Sequence, residues 1–158
     1  MQLSLFRIVL LSILLLNISY AKSKLYLLPQ DSKQCQKDII KLFQNSKKSI
    51  NIAMYNFKYK KFIKELQKAN KRGVDINLYL DNKKAKTNNT NFFKYKTFEN
   101  KLHIKAVLFD NNTVVFGSAN WKKESFKDNM EIIYISNEKQ IVKQFKNMFQ
   151  TLSTKIIK

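Results

Sequence analysis

The sequence predicts a single α/β domain in which a mixed, largely parallel central sheet is flanked by helices. A strand pattern at residues 49–55, a helical pattern at 59–72 and a strand pattern at 74–80 follow one another. Such a unit pairs its two strands in parallel through a right-handed crossover. The chain of 158 residues is 44% apolar, with only two glycines and one proline, so it can bury one core with few interruptions.

Residues 1–21 have the pattern of a secretory signal. Arg7 precedes an apolar run at 8–16, and the small residues Ser19 and Ala21 stand three places and one place before a cut after Ala21. The run is shorter than the roughly 20 apolar residues that cross a bilayer, so an uncleaved anchor is the less favoured alternative. We therefore expect export to the periplasm or cell envelope, or secretion, with the mature domain at 22–158.

Hydrophobic spacing places the first elements of that domain. A short strand at 24–28 leads into a turn at 29–32, where Asp31 or Ser32 can cap a helix. The apolar positions of this helix recur every three or four residues. They are Cys35, Ile39, Leu42 and Phe43. Beyond the second helix, Gly73 can adopt the left-handed conformation that ends it.

From residue 81 to residue 101 the pattern weakens, and we predict a loop with one helical turn. The segment is rich in lysine and asparagine and carries the aromatic residues Phe92, Phe93, Tyr95 and Phe98. Interleaved aromatic and lysine side chains, such as Phe93 and Lys94, are typical of a groove for single-stranded nucleic acid. A surface loop that carries a few core aromatics is the alternative.

The remaining elements are two strands joined by a turn, a third strand and a helix. The strands are predicted at 102–109, 113–116 and 130–135, with a tight turn at 110–112. An amphipathic helix is predicted at 139–152.

The charge balance is strongly basic. The formal net charge is +19, from 30 basic and 11 acidic residues, and loss of residues 1–21 would remove only the cation Arg7. Such an excess repels itself unless a polyanion is near, so nucleic acid and acidic lipid are the leading partners. A bias of composition towards lysine is the alternative explanation.

A group of polar residues surrounds the predicted hairpin. His103 and Lys105 lie two apart on a strand and would project from one face, while Ser118 and Asn120 offer donors at the same spacing. Gly117 would let the backbone come close to a ligand. Cleavage of a phosphodiester needs a nucleophile, a charge clamp and a leaving-group acid. Imidazole can be the nucleophile and the other three side chains the clamp, but a chain with one histidine leaves the acid unaccounted for.

These residues resemble the HKD motif of the phospholipase D superfamily. The matching positions are His103, Lys105, Asp110, Gly117, Ser118 and Asn120. Residues 49–55 and 71–76 also resemble segments of the short, single-motif bacterial endonucleases of this superfamily, so the resemblance covers most of the mature chain. It departs at 81–103, which is shorter than its counterpart and lacks a glycine-marked strand.

The resemblance implies a phospholipase D-like fold and a nuclease that cuts DNA, single-stranded DNA first and RNA as a further substrate, through a covalent phosphohistidine. Members of the superfamily bring two HKD motifs face to face. One histidine attacks phosphorus, and the other protonates the leaving oxygen and then activates water. A chain with one motif therefore implies a homodimer, in which the partner subunit's His103 is the missing acid.

The resemblance also suggests roles for residues around the motif. Glu131 is expected to accept a hydrogen bond from the far ring nitrogen of His103 and so fix its tautomer, with an edge-strand carboxylate as the alternative. Asp110 is expected to be structural, turning the hairpin and pairing with a nearby cation. Trp121 can stack on a base or anchor the core. The candidate substrate contacts are Tyr55, Phe93, Lys94 and Trp121.

No cofactor or metal is expected, because lysines neutralise the charge and histidine is the nucleophile. The sequence also lacks His, Cys and carboxylate clusters at ligand spacing. A lipid phosphodiesterase, peripherally associated with the envelope, is the first alternative, although the short chain leaves no room for a lipid pocket. A nucleic-acid-binding protein without catalysis is the second, although His103, Lys105 and Asn120 are all present.

Overall fold

A seven-stranded sheet forms the centre of the molecule. The computed structural model describes residues 22–85 and 92–154. The strands are β1 (Ser23–Leu28), β2 (Ser49–Met54), β3 (Asp75–Leu80), β4 (Tyr95–Lys96), β5 (Lys105–Phe109), β6 (Thr113–Gly117) and β7 (Glu131–Ser136). The helices are α1 (Ser32–Asn45), α2 (Lys60–Lys71), α3 (Asn82–Ala85), α4 (Lys123–Lys127) and α5 (Lys139–Thr154). The single α/β domain predicted from the sequence is confirmed.

The strands lie in the order β1-β7-β6-β5-β2-β3-β4, and most neighbours are antiparallel. Only β2–β3 and β3–β4 are parallel pairs. The other four pairs are antiparallel. The prediction of a largely parallel sheet is therefore wrong. Parallel neighbours need a long crossover, which α2 supplies between β2 and β3, whereas a short turn joins β5 to β6 and sends the chain straight back.

The two faces of the sheet bury separate hydrophobic clusters. Alternation along the strands turns Ile52 and Leu78 towards one face, where they join apolar side chains of α1 and α2. Ala53 and Tyr79 point to the other face and pack with side chains of α5. The sheet is thus covered on both sides, and its strand ends remain as the place where a polar site can form.

Several local predictions can be compared directly with the structure. Gly73 has φ 85° after α2, so it takes the left-handed conformation that the sequence predicts. Asp110 and Asn111 also have positive φ, 49° and 57°, in the tight turn between β5 and β6. Cys35 is fully buried in α1, and burial raises the pKa of its thiol to about 12.

The segment between β3 and β5 contains one short helix, α3, and one short strand, β4. Residues 86–91 lie outside the described part of the chain, as do 155–158 and the whole predicted signal at 1–21. In the described residues, no helix has the length and apolar character needed to cross a bilayer.

Candidate active site

The motif residues meet where three strands begin or end at one edge of the sheet. β5 begins at Lys105, β6 ends at Gly117 and β7 begins at Glu131. Because β6 is antiparallel to both neighbours, these three ends lie side by side. Antiparallel pairing brings the two halves of the motif together, and for β5 and β6 this is the hairpin that the sequence predicts.

His103 and Lys105 form a close pair at this edge. The Lys105 Nζ lies 3.1 Å from His103 Nδ1 and donates to the His103 carbonyl oxygen at 2.7 Å. His103 precedes β5, but the Tyr55 amide donates to the Ile104 carbonyl at 3.0 Å and holds the segment against the end of β2. Because an ammonium group can only donate, the contact with Nδ1 is a hydrogen bond in the tautomer that leaves Nδ1 unprotonated.

The surroundings of His103 favour its neutral form. Desolvation, followed by the nearby ammonium groups of Lys105 and Lys101, lowers the pKa of His103 below its ordinary value of 6.5, while the Asp81 carboxylate acts in the opposite direction. Burial and Lys101 also lower the pKa of Lys105, against the effect of Glu131. A neutral imidazole beside an ammonium group is the protonation state that nucleophilic attack on an anion requires.

Glu131 contacts Ser118, and this differs from the sequence expectation. The Ser118 hydroxyl donates to Glu131 Oε2 at 2.5 Å and accepts from the Ile132 amide at 3.0 Å. A longer contact of 3.4 Å joins Asn129 Nδ2 to the other carboxylate oxygen. Within one chain the expected bond from His103 to Glu131 is absent, because Ser118 lies directly across from the start of β7. Within one chain, the side chain that Glu131 holds is therefore Ser118.

Gly117 is required by the packing of the sheet. A Cβ atom at this position would lie 2.1 Å from the Ile132 carbonyl oxygen, closer than any real contact. The sequence interpretation, that Gly117 lets the backbone approach a ligand, stays a prediction. The close approach is between the ends of β6 and β7, and it brings Ser118 to Glu131.

Asp110 directly follows the other end of β5, about 17 Å from Lys105 at the rise per residue of a strand. Its carboxylate accepts backbone amides from Lys47 at 2.9 Å, Lys48 at 2.8 Å and Ser49 at 3.0 Å. Burial acts to raise its pKa, but these hydrogen bonds prevail and lower it below the ordinary value. Asp110 joins the hairpin to the turn before β2. Its hydrogen-bond partners are backbone amides, and the ammonium group of Lys48 is the nearby cation that lowers its pKa further.

The ring of Tyr55 is at the centre of the site. It lies 4.8 Å from the His103 ring, and three ammonium groups lie near its centroid. They belong to Lys101 at 5.2 Å, Lys105 at 5.5 Å and Lys84 at 5.8 Å. Sequence reasoning missed Lys84 and Lys101, because single lysines carry no signal in a chain that has them throughout.

The other sequence candidates are placed differently. Trp121 is 2% exposed and packs against Phe43, Phe57 and Phe62, so it anchors the core and is not available to stack on a base. Phe93 is 9% exposed in the same cluster, for the same reason. Lys94 is exposed.

Asn120 is half-buried two residues after Ser118, and its Oδ1 atom is buried without a hydrogen-bond partner. This oxygen can only accept, so a contact with a phosphate would have to come from the Nδ2 group of the amide.

Across residues 22–85 and 92–154, no group of three or more His, Cys, Asp or Glu side chains is arranged to hold a metal ion.

The domain has His-x-Lys at the start of one strand and Gly-Ser-x-Asn at the end of the next, at one edge of an α/β sheet. These features define a phospholipase D-like domain. The family model described as "Cardiolipin synthase, PLD-like domain" matches residues 39–153, and the chain belongs to this family. No curated protein matches the sequence significantly.

Solved structures have the same fold. NucT from Helicobacter pylori superposes with a TM-score of 0.75 at 19% identity, covering 84% of this chain and 95% of that one. Nuc from Salmonella typhimurium, a phospholipase D family member, gives 0.72 at 23% identity over 84% and 93%. Phosphatidylserine synthase from Haemophilus influenzae gives 0.69 at 12% identity over 87% of this chain and 40% of that one.

Proposed function

We propose that this protein is an exported phosphodiesterase that cleaves DNA as an endonuclease, without metal, and through a covalent bond between phosphorus and His103. The observation that carries the proposal is the contact between the imidazole and ammonium groups of His103 and Lys105, beside Ser118 and Asn120. A nucleophile and several donors thus lie at neighbouring strand ends on one edge of the sheet, and attack on a phosphodiester needs such groups close together.

The reaction has two steps. In the first, an unprotonated ring nitrogen of His103 attacks phosphorus, the bond to the leaving oxygen breaks, and that oxygen takes a proton from the partner subunit's His103. In the second, the partner's His103 takes a proton from water, the resulting hydroxide attacks phosphorus, and the phosphorus–nitrogen bond breaks. Lys105 and the Nδ2 group of Asn120 stabilise the charge that builds up on the phosphoryl oxygens, and Ser118 contributes when its single hydroxyl proton turns from Glu131 to the substrate.

A homodimer follows from the need for that second histidine, since the chain has one. A surface suited to self-association lies beside the site. Four apolar side chains are exposed on β1 and at the start of β7, next to Glu131: Leu25, Leu27, Met130 and Ile132. A second copy that covered this surface would remove the apolar area from water and bring two sites together.

Nucleic acid is preferred to lipid as substrate because the short chain leaves no room for a lipid pocket, whereas the basic charge suits both. A net charge of +19 is suited to a polyanion, and contacts between lysine and phosphate carry no sequence information, so cleavage should be unspecific in sequence. A lipid phosphodiesterase is the second candidate, favoured by the family description and by the likeness to a phosphatidylserine synthase.

The test uses purified protein from residue 22 to 158 in EDTA. Single-stranded DNA, duplex DNA, RNA and phosphatidylcholine vesicles are offered in parallel to the wild type and to His103→Ala. We expect DNA to be cut by the wild type alone. Cleavage that survives in His103→Ala, or that requires added metal, would refute the mechanism. Turnover of lipid without cleavage of nucleic acid would favour the second candidate, and binding without turnover would indicate a protein that has lost catalysis.

A further inference from the structure

Asn56 lies beside the His103 half of the motif. It directly follows Tyr55, whose backbone amide donates to the Ile104 carbonyl at 3.0 Å and whose ring lies 4.8 Å from the ring of His103. The HKD motif does not include Asn56, so neither the resemblance nor the proposed reaction gives this residue a role.

The same residue also borders the other half of the motif. Phe57 pairs in parallel with Trp121, and the amide of Lys58 donates to the Trp121 carbonyl at 2.9 Å. In this register the residue before Phe57 is the neighbour of the residue before Trp121, at the spacing of adjacent strands, about 4.8 Å. The bridge therefore places Asn56 next to Asn120.

The two asparagine side chains point away from the core. Phe57 and Trp121 are 0% and 2% exposed, and their ring centroids are 5.7 Å apart. Successive side chains of an extended segment point to opposite sides, so Asn56 and Asn120 project together on the side away from these rings. Both are half-buried. Two carboxamides thus lie side by side at the edge that carries His103.

Neither carboxamide is bound within the described part of the chain. The Oδ1 atoms of Asn56 and Asn120 are both buried without a partner, and their Nδ2 groups make no hydrogen bond with residues 22–85 or 92–154. Ser118 differs, because its hydroxyl already donates to Glu131 at 2.5 Å. Each asparagine therefore keeps two N–H donors for a ligand, while its unpaired buried oxygen costs stability.

We propose that Asn56 binds the scissile phosphate together with Asn120, so that the two Nδ2 groups donate to its non-bridging oxygens. One phosphoryl group fits between donors at this spacing, because each N–H···O bond spans about 2.9 Å. Such donors stabilise the charge that grows on the oxygens as the histidine attacks. This inference rests on the proposed phosphodiesterase function and adds to it a phosphate-binding residue outside the motif.

Substitution of Asn56 separates a role in phosphate binding from a role in folding. Asn56→Leu keeps the branched shape of the side chain and removes the amide, whereas Asn56→Ser keeps one hydroxyl donor. Asn70→Ala is the matched control. It removes an exposed amide from the last turn of α2, which leads to the opposite edge of the sheet, where β3 begins.

We expect Asn56→Leu to lower kcat for DNA about 100-fold, the loss typical of one donor to a developing oxyanion. Asn56→Ser should lie between this variant and the wild type, and Asn70→Ala should match the wild type. Thermal melting of Asn56→Leu should occur at the wild-type temperature or above it, because the variant removes an unpaired buried oxygen. A side chain that only supports the fold would give the opposite change in melting temperature.

A second measurement does not depend on turnover. Because the chain has one histidine, the Hε1 proton of His103 gives a single NMR signal that reports the binding of inorganic phosphate beside it. We expect Asn56→Leu to raise the dissociation constant for phosphate severalfold, and Asn70→Ala to leave it unchanged.

A wild-type kcat or a wild-type phosphate affinity in Asn56→Leu would overturn the proposal. Loss of activity together with a lower melting temperature in both Asn56 variants would overturn it as well, because Asn56 would then support the fold. Failure of the proposed nuclease function looks different: the wild type itself does not cut DNA, and the phosphate titration still decides whether Asn56 binds phosphate.

Discussion

At the scale of single residues, the site depends on how neighbours set protonation. His103 has a lowered pKa because desolvation and two ammonium groups oppose its charged form, so the neutral nucleophile persists below the pH at which an ordinary histidine would protonate. The ammonium groups that lower the pKa of His103 also attract an anionic substrate to the site.

The pH profile should show this shift. The acid limb of kcat/KM is expected to have its midpoint below 6.5, because the attacking histidine must be unprotonated and its pKa is lowered. Lys101→Gln removes one repelling charge, which raises the pKa of His103, so the limb should move to higher pH and activity at pH 6 should fall. Because two histidines act together, the measured value belongs to the pair. Lys143→Gln, on the exposed face of α5, is the control, and its acid limb should stay in place. An acid limb of Lys101→Gln that also stays in place would contradict this account.

Asp110 is the motif residue whose importance lies in stability. Asp110→Asn loses a charge-assisted acceptor for three backbone amides, and we expect the free energy of unfolding at pH 7 to fall by about 1–3 kcal/mol. The pKa of Asp110 is depressed in the folded protein. Its contribution to the free energy of unfolding is therefore complete above the unfolded pKa near 4 and is lost as pH falls through the folded value.

Urea unfolding at pH 7 and below pH 4 measures this effect. The difference between Asp110→Asn and the wild type should close at the lower pH. The exposed carboxylate of Glu99 gives the control, Glu99→Gln, for which no comparable difference is expected. Equal stability of Asp110→Asn and the wild type at pH 7 would refute the structural role.

At the scale of elements, the meeting of β6 and β7 builds the clamp half of the site. Gly117 permits an approach that any Cβ would block, and Ser118 and Glu131 face each other as a result. The close contact of β6 with β7 at Gly117 therefore also sets the position of Ser118, for which we propose a catalytic role.

Gly117→Ala should accordingly damage stability and activity together. The new methyl group would lie 2.1 Å from the Ile132 carbonyl oxygen, so the strand ends must separate, and we expect a loss of about 2–3 kcal/mol with a large fall in kcat. Gly73→Ala is the matched comparison. Its Cβ would meet nothing within 4 Å, and the left-handed conformation alone costs about 1 kcal/mol. Thermal unfolding and nuclease assays test whether Gly117→Ala loses more stability and activity than Gly73→Ala. An equal loss in the two variants would refute this expectation.

Alternation and helical spacing located most of the elements to within a residue or two. They revealed the direction of neighbouring strands only where the connection is local, in the parallel unit from β2 to β3 and in the hairpin of β5 and β6. That logic does not extend to β1 and β7, since their pairing is set by tertiary packing between residues more than a hundred positions apart. Within the site, the motif spacing located His103 and Lys105, while burial of Trp121 and the Ser118 partner of Glu131 depend on contacts that a linear pattern does not contain.

At the scale of the whole molecule, the proposed mechanism makes activity a property of pairs of subunits, because each chain has a single histidine. If both His103 side chains act at one shared site, a dimer of one wild-type and one His103→Ala subunit lacks either the nucleophile or the acid. When wild-type subunits exchange freely with an equal amount of His103→Ala, independent pairing leaves about half of them in fully wild-type dimers. Activity per wild-type subunit should therefore drop to about half, and a larger excess should inhibit further. Active Lys143→Gln subunits added in the same amount should raise total activity. If His103→Ala subunits leave activity unchanged after exchange, each chain works alone, and the source of the leaving-group proton must be sought within one subunit.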